Sequence, residues 1–524
     1  MIQRTSADAT VRGDSAAADV LGVLLHQSGA GVSRFPDHDR AAWARHGDTD
    51  VEVDWAGPLH GDQVVDEASA QAVCGVMHVH GRSTGVPAGL GLDYCGTAAG
   101  VVAATGLKAA ALGGFRHVTT SVAQVALLTV SQYLAAATGE EAAETGPGGP
   151  PFRSADGVLF ELETLDPLVW RDFWRDLDVP GPVAGTSWRP FQFRYATATA
   201  PLPYALHRAC ADRLFATLAD HARATGMDIC PLHDPAPPTG PAINMSTMDT
   251  EAKTSPPGDL PLSGVVVLEA GRRVQAPLAA HLLRLLGARV TRIEPPGGDP
   301  LRGMPPTCGD TSARWLALNR GKDAEEVDIK TEAGRRHLRE LTAAADVFLH
   351  NWAPGKAEEL ALGATDLVRV NPSLVHVHTS GWAGRLENPP LGTDFMAQAR
   401  TGLGALLRPA DEAPAPSLMT LLDVLGGLLG AYAAVSGLLL RRDTGRAVRA
   451  ESSLLAASDL LRHNATTRPE PGFRRPRRTD RGWFHEGVPV TDDLAALPDD
   501  PRFADAVRRD HDHCPEVLTP WGFR

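Results

Sequence analysis

The 524-residue chain has no CxxC pair, no GxGxxG fingerprint, no excess of positive charge and, at its start, no apolar segment of signal-peptide type. Each absence excludes something. Cys74, Cys95, Cys210, Cys230, Cys308 and Cys514 are scattered without paired spacing, which argues against a disulfide scaffold and for reduced thiols in a cytoplasmic protein. A formal net charge of -13 argues against nonspecific binding to nucleic acid or to an anionic membrane, so an anionic ligand requires a local basic pocket. The opening MIQRTSADATVRGDSAAADV lacks an apolar core, and no later apolar run reads as long and uncharged enough to span a bilayer. Without GxGxxG, a dinucleotide site of the usual kind is unsupported.

What is present is a composition near the average of globular proteins, with 43% hydrophobic and 22% charged residues, in a chain too long for a single core. Glycine (52) and proline (41) predict many turns, and they cluster at two breaks: TGPGGPP at 145–151 and the Pro-rich stretch 232–261. A third irregular stretch, RPEPGFRRPRRTDR at 468–481, reads as a solvated loop. These breaks predict an N-terminal extension (1–50), a helical segment (51–144), a small domain (151–232), a linker (233–260), an α/β domain (261–462) and an Arg-rich loop with a closing segment (463–524).

The two halves resemble each other. DYCGTAAGVVAA at 93–104 and DVLGGLLGAYAA at 423–434 share the form DxxGxxxGxxAA at an offset of 330, and QAVCG at 71–75 matches QARTG at 398–402 at an offset of 327. The difference reads as a loop deletion. Glycines four apart lie on one helix face and admit a neighbouring backbone, so a buried Ala/Gly helix explains the pattern without any ligand.

The second half opens on a βαβ pattern: an apolar run at Val265–Leu268, helical periodicity over APLAAHLLRLL at 276–286, a stop at Gly287 and a strand at Val290–Ile293. Strands at 346–349 and 374–378 alternate with helical segments, which predicts an open, doubly wound parallel sheet with ligands at the carboxyl ends of its strands. Three strand-end loops carry EPPGGDPLR with Arg292 and Arg302 beside it, LNRGK with Asn319, Arg320 and Lys322, and NWAPGK with Asn351 and Lys356. Backbone amides, guanidinium and ammonium groups in such loops suit a phosphate-bearing ligand. The pairs His78/His80 and His376/His378 read as histidines on one face of a strand, and HDHC at 511–514 as a polar loop with no metal role.

In order, EPPGGDPLR, LNRGK, DVFLHNWAPGKAEELALG, NPSLVHVHTSGW, GTDFMAQARTG and the helix after Asp423 resemble the family III CoA-transferases of the CaiB/BaiF type. The resemblance implies an α/β enzyme with a large doubly wound domain and a smaller α+β domain, which takes coenzyme A and acyl-CoA as substrates and needs no prosthetic group or metal. It implies that Asp394, preceded by Thr393 where the family has tyrosine, is the nucleophile. Attack on an acyl-CoA gives a mixed anhydride and then an aspartyl-CoA thioester, from which a carboxylic acid collects CoA. Gly381 and Gly384, in SGWAG, are the candidates for exposing oxyanion-stabilising amides. Gln275 joins the seven strand-end residues as an expected CoA contact. Glu67, aligned with Asp394 through Gln71 and Gln398, reads as a remnant in a first copy that lacks the α/β front.

Other classes stay open at this point: a racemase, isomerase, dehydratase or lyase on the same scaffold, or a non-catalytic acyl-CoA-binding protein. Family members form interlocked homodimers, and the two-copy chain is expected either to do so or to build that interlock within itself.

Overall fold

Val265–Leu268 is an unbroken apolar run, and a strand of that kind needs cover on both faces. In the computed structural model, which describes residues 8–61, 63–137, 146–238, 240–250, 258–463, 465 and 467–524, Val266–Ala270 is accordingly an inner strand of a seven-stranded sheet. Its order runs Asp323–Glu326, Arg289–Glu294, Val266–Ala270, Val347–His350, Val375–Ser380, Val448–Ser453 and Ile243–Thr247. All neighbours pair in parallel except the last, which adds antiparallel to the edge. This is the expected doubly wound layer, and its edge strand comes from the stretch read as linker, of which 239 and 251–257 lie outside the described residues.

The first 137 residues are more than an extension and a helical segment. Ala9–Arg12, the helix Ala16–Gln27 and Val32–Phe35 form a second βαβ unit with parallel pairing, like Val266–Ala270, Gln275–Leu285 and Arg289–Glu294. The sheet continues through Ala42–His46, Thr49–Asp54, His117–Ser121 and finally Gly522–Phe523. Its first five strands therefore follow the spatial order of strands 289–294, 266–270, 347–350, 375–380 and 448–453, with one strand reversed because 42–46 and 49–54 form a hairpin. The first half thus has an α/β front after all. Only short, half-exposed strands such as Val32–Phe35 build it, so periodicity did not reveal it.

Between the sheets lie two long apolar helices, Tyr94–Gly113 of 20 residues and Leu421–Thr444 of 24. Both are long and apolar enough to cross a membrane, contrary to the sequence expectation, but 89% and 94% of their apolar windows are buried inside the chain. Their small residues do what the spacing predicts. A Cβ on Gly100 would press on Val20 and the Ala17 carbonyl, and one on Gly427 on the Gln275 carbonyl and Leu278. Each long helix thereby crosses its own βαβ helix at close range.

The part from 151 to 232 holds a three-stranded antiparallel sheet, Phe152–Arg153, Leu159–Glu163 and Asp228–Pro231, packed with helices that include Pro167–Asp176 and Gly181–Gln192. Three smaller expectations are corrected. His78 and His80 lie on the helix Val76–Gly81, not on a strand. The Arg-rich stretch is no solvated loop throughout: Arg477–Thr479 pairs with Gly482–His485, and Arg474 donates to the carbonyls of Leu90 and Leu92, both at 3.0 Å. Cys308 and Cys514 form a disulfide, Cα atoms 5.6 Å apart and 206 residues apart in sequence, a pairing that no local spacing announces.

Crowding at Gly427 sets the first prediction. G427A should destabilise the protein by about 1–3 kcal/mol through overpacking, despite alanine's higher helix propensity. G185A, in an exposed helical position with nothing within 4 Å of the added Cβ, should instead stabilise it by about 0.5–1 kcal/mol. Urea denaturation of the two variants measures both.

Candidate active site

A parallel sheet leaves its loops at the carboxyl ends of the strands, and a cavity of about 1990 Å³ opens there. Its walls come from the ends of the four strands 266–270, 289–294, 347–350 and 375–380, from Thr393 and Asp423, and from Arg189, Phe193, Tyr195, Thr197 and Thr199 of the 151–232 part. Both parts of the chain thus face one space.

Asp394 is the first residue of the helix Asp394–Arg400 and is buried just behind Thr393. One carboxylate oxygen accepts from the Gln398 side chain, and the other accepts from the backbone N–H groups of Leu422 (2.6 Å) and Asp423 (2.7 Å). Those N–H groups open the helix Leu421–Thr444 and have no intrahelical partner, so the carboxylate caps it from outside. Burial pushes Asp394 up to about 6 against these hydrogen bonds. Asp423 lines the cavity, and burial, reinforced by the charge of Asp394, pushes its carboxyl up to about 8. Asp394 itself is not part of the cavity wall; Thr393 and Asp423 are.

Glu67 repeats this arrangement in the first half. It accepts from the N–H groups of Cys95 (2.9 Å) and Gly96 (2.7 Å) at the start of Tyr94–Gly113, and from Gln71 (2.8 Å). Gln71 and Gln398 also clasp backbone in the same way, accepting from Leu90 and Ser417 respectively at 2.8 Å. The offset of 327 therefore holds from Glu67/Asp394 through Cys95/Leu422. The length difference between the halves falls in the long helix, not in the loop where the sequence comparison put it. By the same offset Gly96 takes the position of Asp423, and Arg474 with the 16–27 helix closes over Glu67, which is buried away from the cavity.

The expected CoA contacts, and the two oxyanion candidates Gly381 and Gly384, divide. Gln275, Arg292, Asn351, Lys356 and Gly381 line the cavity; Arg302, Asn319, Arg320, Lys322 and Gly384 do not. Arg292 is almost fully buried and is spent on carboxylates, with Nη1 2.7 and 2.9 Å from the two oxygens of Glu269 and Nη2 on Asp299. Lys322 donates to Glu269 (3.1 Å), Asn319 (2.8 Å) and the Pro277 carbonyl (2.8 Å), so LNRGK is an internal clamp. Asn319 completes it by donating to the Trp315 carbonyl at 3.0 Å. Arg320 pairs with Asp510 at 2.6 Å, and Arg302 pairs with Glu294 at 2.8 Å while lying over Trp315. Asn351 bridges the backbone of Arg272, and Lys356 pairs with Glu359 at 2.7 Å.

Gly381 crosses Gly392 so closely that a Cβ would strike its backbone, while Gly384 occupies a left-handed turn outside the cavity wall. The cations that sequence reading missed are Arg189, Arg272, Arg273, Arg314 and Lys330, all on the cavity. Arg272 and Arg273 lie just past the carboxyl end of the inner strand Val266–Ala270, so the strand-end rule already pointed to them. Arg273 has φ 61°, a left-handed conformation rarely held by a non-glycine residue, and lies over the Tyr195 ring.

The buried network makes a test. R292M should lower unfolding stability by about 3–5 kcal/mol, because Asp299 loses its ion-pair partner and Glu269 keeps only Lys322. R272M, at an exposed position, should stay within about 0.5 kcal/mol of wild type in the same urea titration.

Residues 262–493 match the model of CoA-transferase family III. Over 203 residues the chain is 34% identical to a succinyl-CoA:glutarate CoA-transferase of Mus musculus, covering 38% of this chain and 46% of the relative. It is 34% identical to the beta subunit of a succinyl-CoA–L-malate CoA-transferase of Chloroflexus aurantiacus, covering 37% and 49%. It is 31% identical to a probable fatty acyl-CoA transferase of Mycobacterium tuberculosis, covering 43% and 60%. A crystal structure of that last protein matches at 30% identity over 39% of this chain and 58% of that one, with a TM-score of 0.37. The chain thus spans about half the length of the curated relatives it matches. The similarity to CoA-transferase family III thus falls on residues 262–493, which carry Asp394 and every strand of the seven-stranded sheet except Ile243–Thr247.

Proposed function

We propose that the protein transfers CoA from an acyl-CoA donor to a carboxylic acid, with Asp394 as the carboxylate that accepts the acyl group. The observation that carries this reading is the placement of a buried carboxylate, held by two backbone N–H groups, directly behind the wall of a cavity whose rim bears Arg272, Arg273 and Lys330. The cations suit the phosphates of CoA. An Asp394 oxygen attacks the thioester carbonyl, the C–S bond breaks, and a mixed anhydride and CoA thiolate form. The thiolate attacks the aspartyl carbonyl and releases the donor acid. The acceptor carboxylate then attacks the aspartyl-CoA thioester, and the returning thiolate takes the new acyl group and frees Asp394. No net proton changes hands.

We infer that the two halves are copies of one ancestral unit, in support of which stand the matched strand orders and the twin carboxylate caps. On this reading Glu67 is a retired nucleophile, sealed by Arg474 and lacking a counterpart of Asp423. One chain then supplies both the α/β walls and the 151–232 wall of its own site. A second reading rests on Asp423, the carboxyl that faces the cavity: there, Asp423 meets the substrate and Asp394 remains a helix cap.

Intact-mass measurement after incubation with succinyl-CoA, a donor named in several relatives, separates the two. Wild type is expected to gain a hydroxylamine-sensitive adduct that D394A lacks and E67A retains. An adduct kept in D394A and lost in D423A selects the second reading. No adduct, with α-proton exchange in deuterated water, points to another acyl-CoA reaction. In parallel, K330M should weaken CoA binding by about tenfold in titration calorimetry at low salt, in line with the loss of one charged hydrogen bond.

A further inference from the structure

The residues on either side of Asp394 are held by groups outside the family-matched segment. Thr393 Oγ1 donates to Glu163 Oε2 at 2.9 Å. Arg194 Nη2 donates to the same oxygen at 3.0 Å, and its guanidinium lies over the Phe395 ring at 4.4 Å and the Phe191 ring at 3.8 Å. Glu163 Oε1 accepts from the Thr164 backbone at 3.1 Å, and Arg194 Nη1 donates to the Phe191 carbonyl at 2.7 Å, so both side chains are fixed from their own part of the chain. The ion pair is almost fully excluded from water, with side chains 2% and 4% exposed.

We propose that Glu163 and Arg194 are positioning residues for Asp394, holding Thr393 by a hydrogen bond and Phe395 by its ring so that the carboxylate between them keeps one orientation toward the cavity. The proposal rests on Asp394 being the reacting carboxylate. Physical reasoning favours it over a purely structural pair. A buried ion pair gains little net stability over an apolar pair of the same volume, yet this one sits where the 151–232 part meets the first turn of the Asp394 helix. It also supplies charge. Around Asp394 stand Gln398 on its own helix, Asp423 on Leu421–Thr444, Tyr94 on Tyr94–Gly113, Tyr133 on Ser131–Ala136 and Glu163 on Leu159–Glu163, and Arg194 is the cation that favours its ionised form.

The two members of the pair therefore have opposite effects on Asp394, which a structural role alone does not produce. R194M removes the cation and leaves Glu163 unbalanced, so Asp394 should ionise at higher pH. E163Q frees the charge of Arg194, so Asp394 should ionise at lower pH. The readout needs no substrate. Because its folded value lies above its ordinary one, Asp394 contributes stability that is complete at low pH and is lost as pH rises from about 3.8 to about 6. The difference in urea stability between each protein and its D394N partner should level off about one pH unit higher in R194M and about one unit lower in E163Q. Movement of both in the same direction, or of neither, overturns the proposal.

Thr393 variants cover the case in which a charge variant fails to fold. With succinyl-CoA, T393V should form the Asp394 adduct about tenfold or more slowly at unchanged CoA affinity, while T393S restores the rate. Equal rates in T393V and T393S overturn the proposal. Absence of any adduct in wild type instead counts against the transfer reading, and the titration still decides whether the pair governs Asp394.

Discussion

An α-helix that begins inside a protein must satisfy the N–H groups of its first turn, which have no partner inside the helix. In this chain a carboxylate from a preceding short helix meets that demand twice: Asp394 for Leu421–Thr444 and Glu67 for Tyr94–Gly113. Much else depends on it. The two long helices are the apolar slabs against which both sheets pack, and their Ala/Gly faces work only if the helices begin inside the protein. The same constraint that makes the core possible places a carboxylate, raised by burial and held by two N–H donors, at a fixed point beside a cavity.

On the proposed function, that double duty lets one arrangement serve chemistry in one half and only structure in the other. Around Asp394 the next wall residue is Asp423, and the space beyond it is open. Around Glu67 the corresponding position is Gly96, the 16–27 helix fits tightly against it, and Arg474 reaches in from the C-terminal region. Capping persists at both ends. Access differs, and access is what reactivity requires.

Charge is handled by a similar division. The acidic chain carries many arginines near the carboxyl ends of its strands, but Arg292, Arg302, Arg320 and Lys322 are spent on Glu269, Glu294, Asp299 and Asp510. These ion pairs hold the loops in shape. Arg272, Arg273 and Lys330 remain toward the cavity, where a phosphate can meet them. Loop rigidity thus falls to one set of cations, and on the proposed function ligand attraction falls to another. The 151–232 part closes the far side and reaches the Asp394 helix through Glu163 and Arg194.

Much of the second half was legible from local order alone. The apolar run at Val265, the periodicity of 276–286 and the stop at Gly287 involve neighbours only a few residues apart, and they became strand, helix and turn as expected. The matched spacing of Glu67 with Gln71 and Asp394 with Gln398 was also visible, because an i to i+4 pair is a property of one helix. The sheet across the first half escaped notice, since strands such as AWARH and TDVEVD place charged or half-exposed residues between their buried ones, in place of an unbroken apolar run, and Val32–Phe35 is mostly exposed. Which arginines are free, which cysteines join and which side chains flank the carboxylate are questions of partners separated by tens or hundreds of residues. By itself the sequence determined the elements of the second half's βαβ unit and the candidate carboxylate. Only the tertiary structure decided what each charge faces, because burial and pairing are set by contacts that no local pattern encodes.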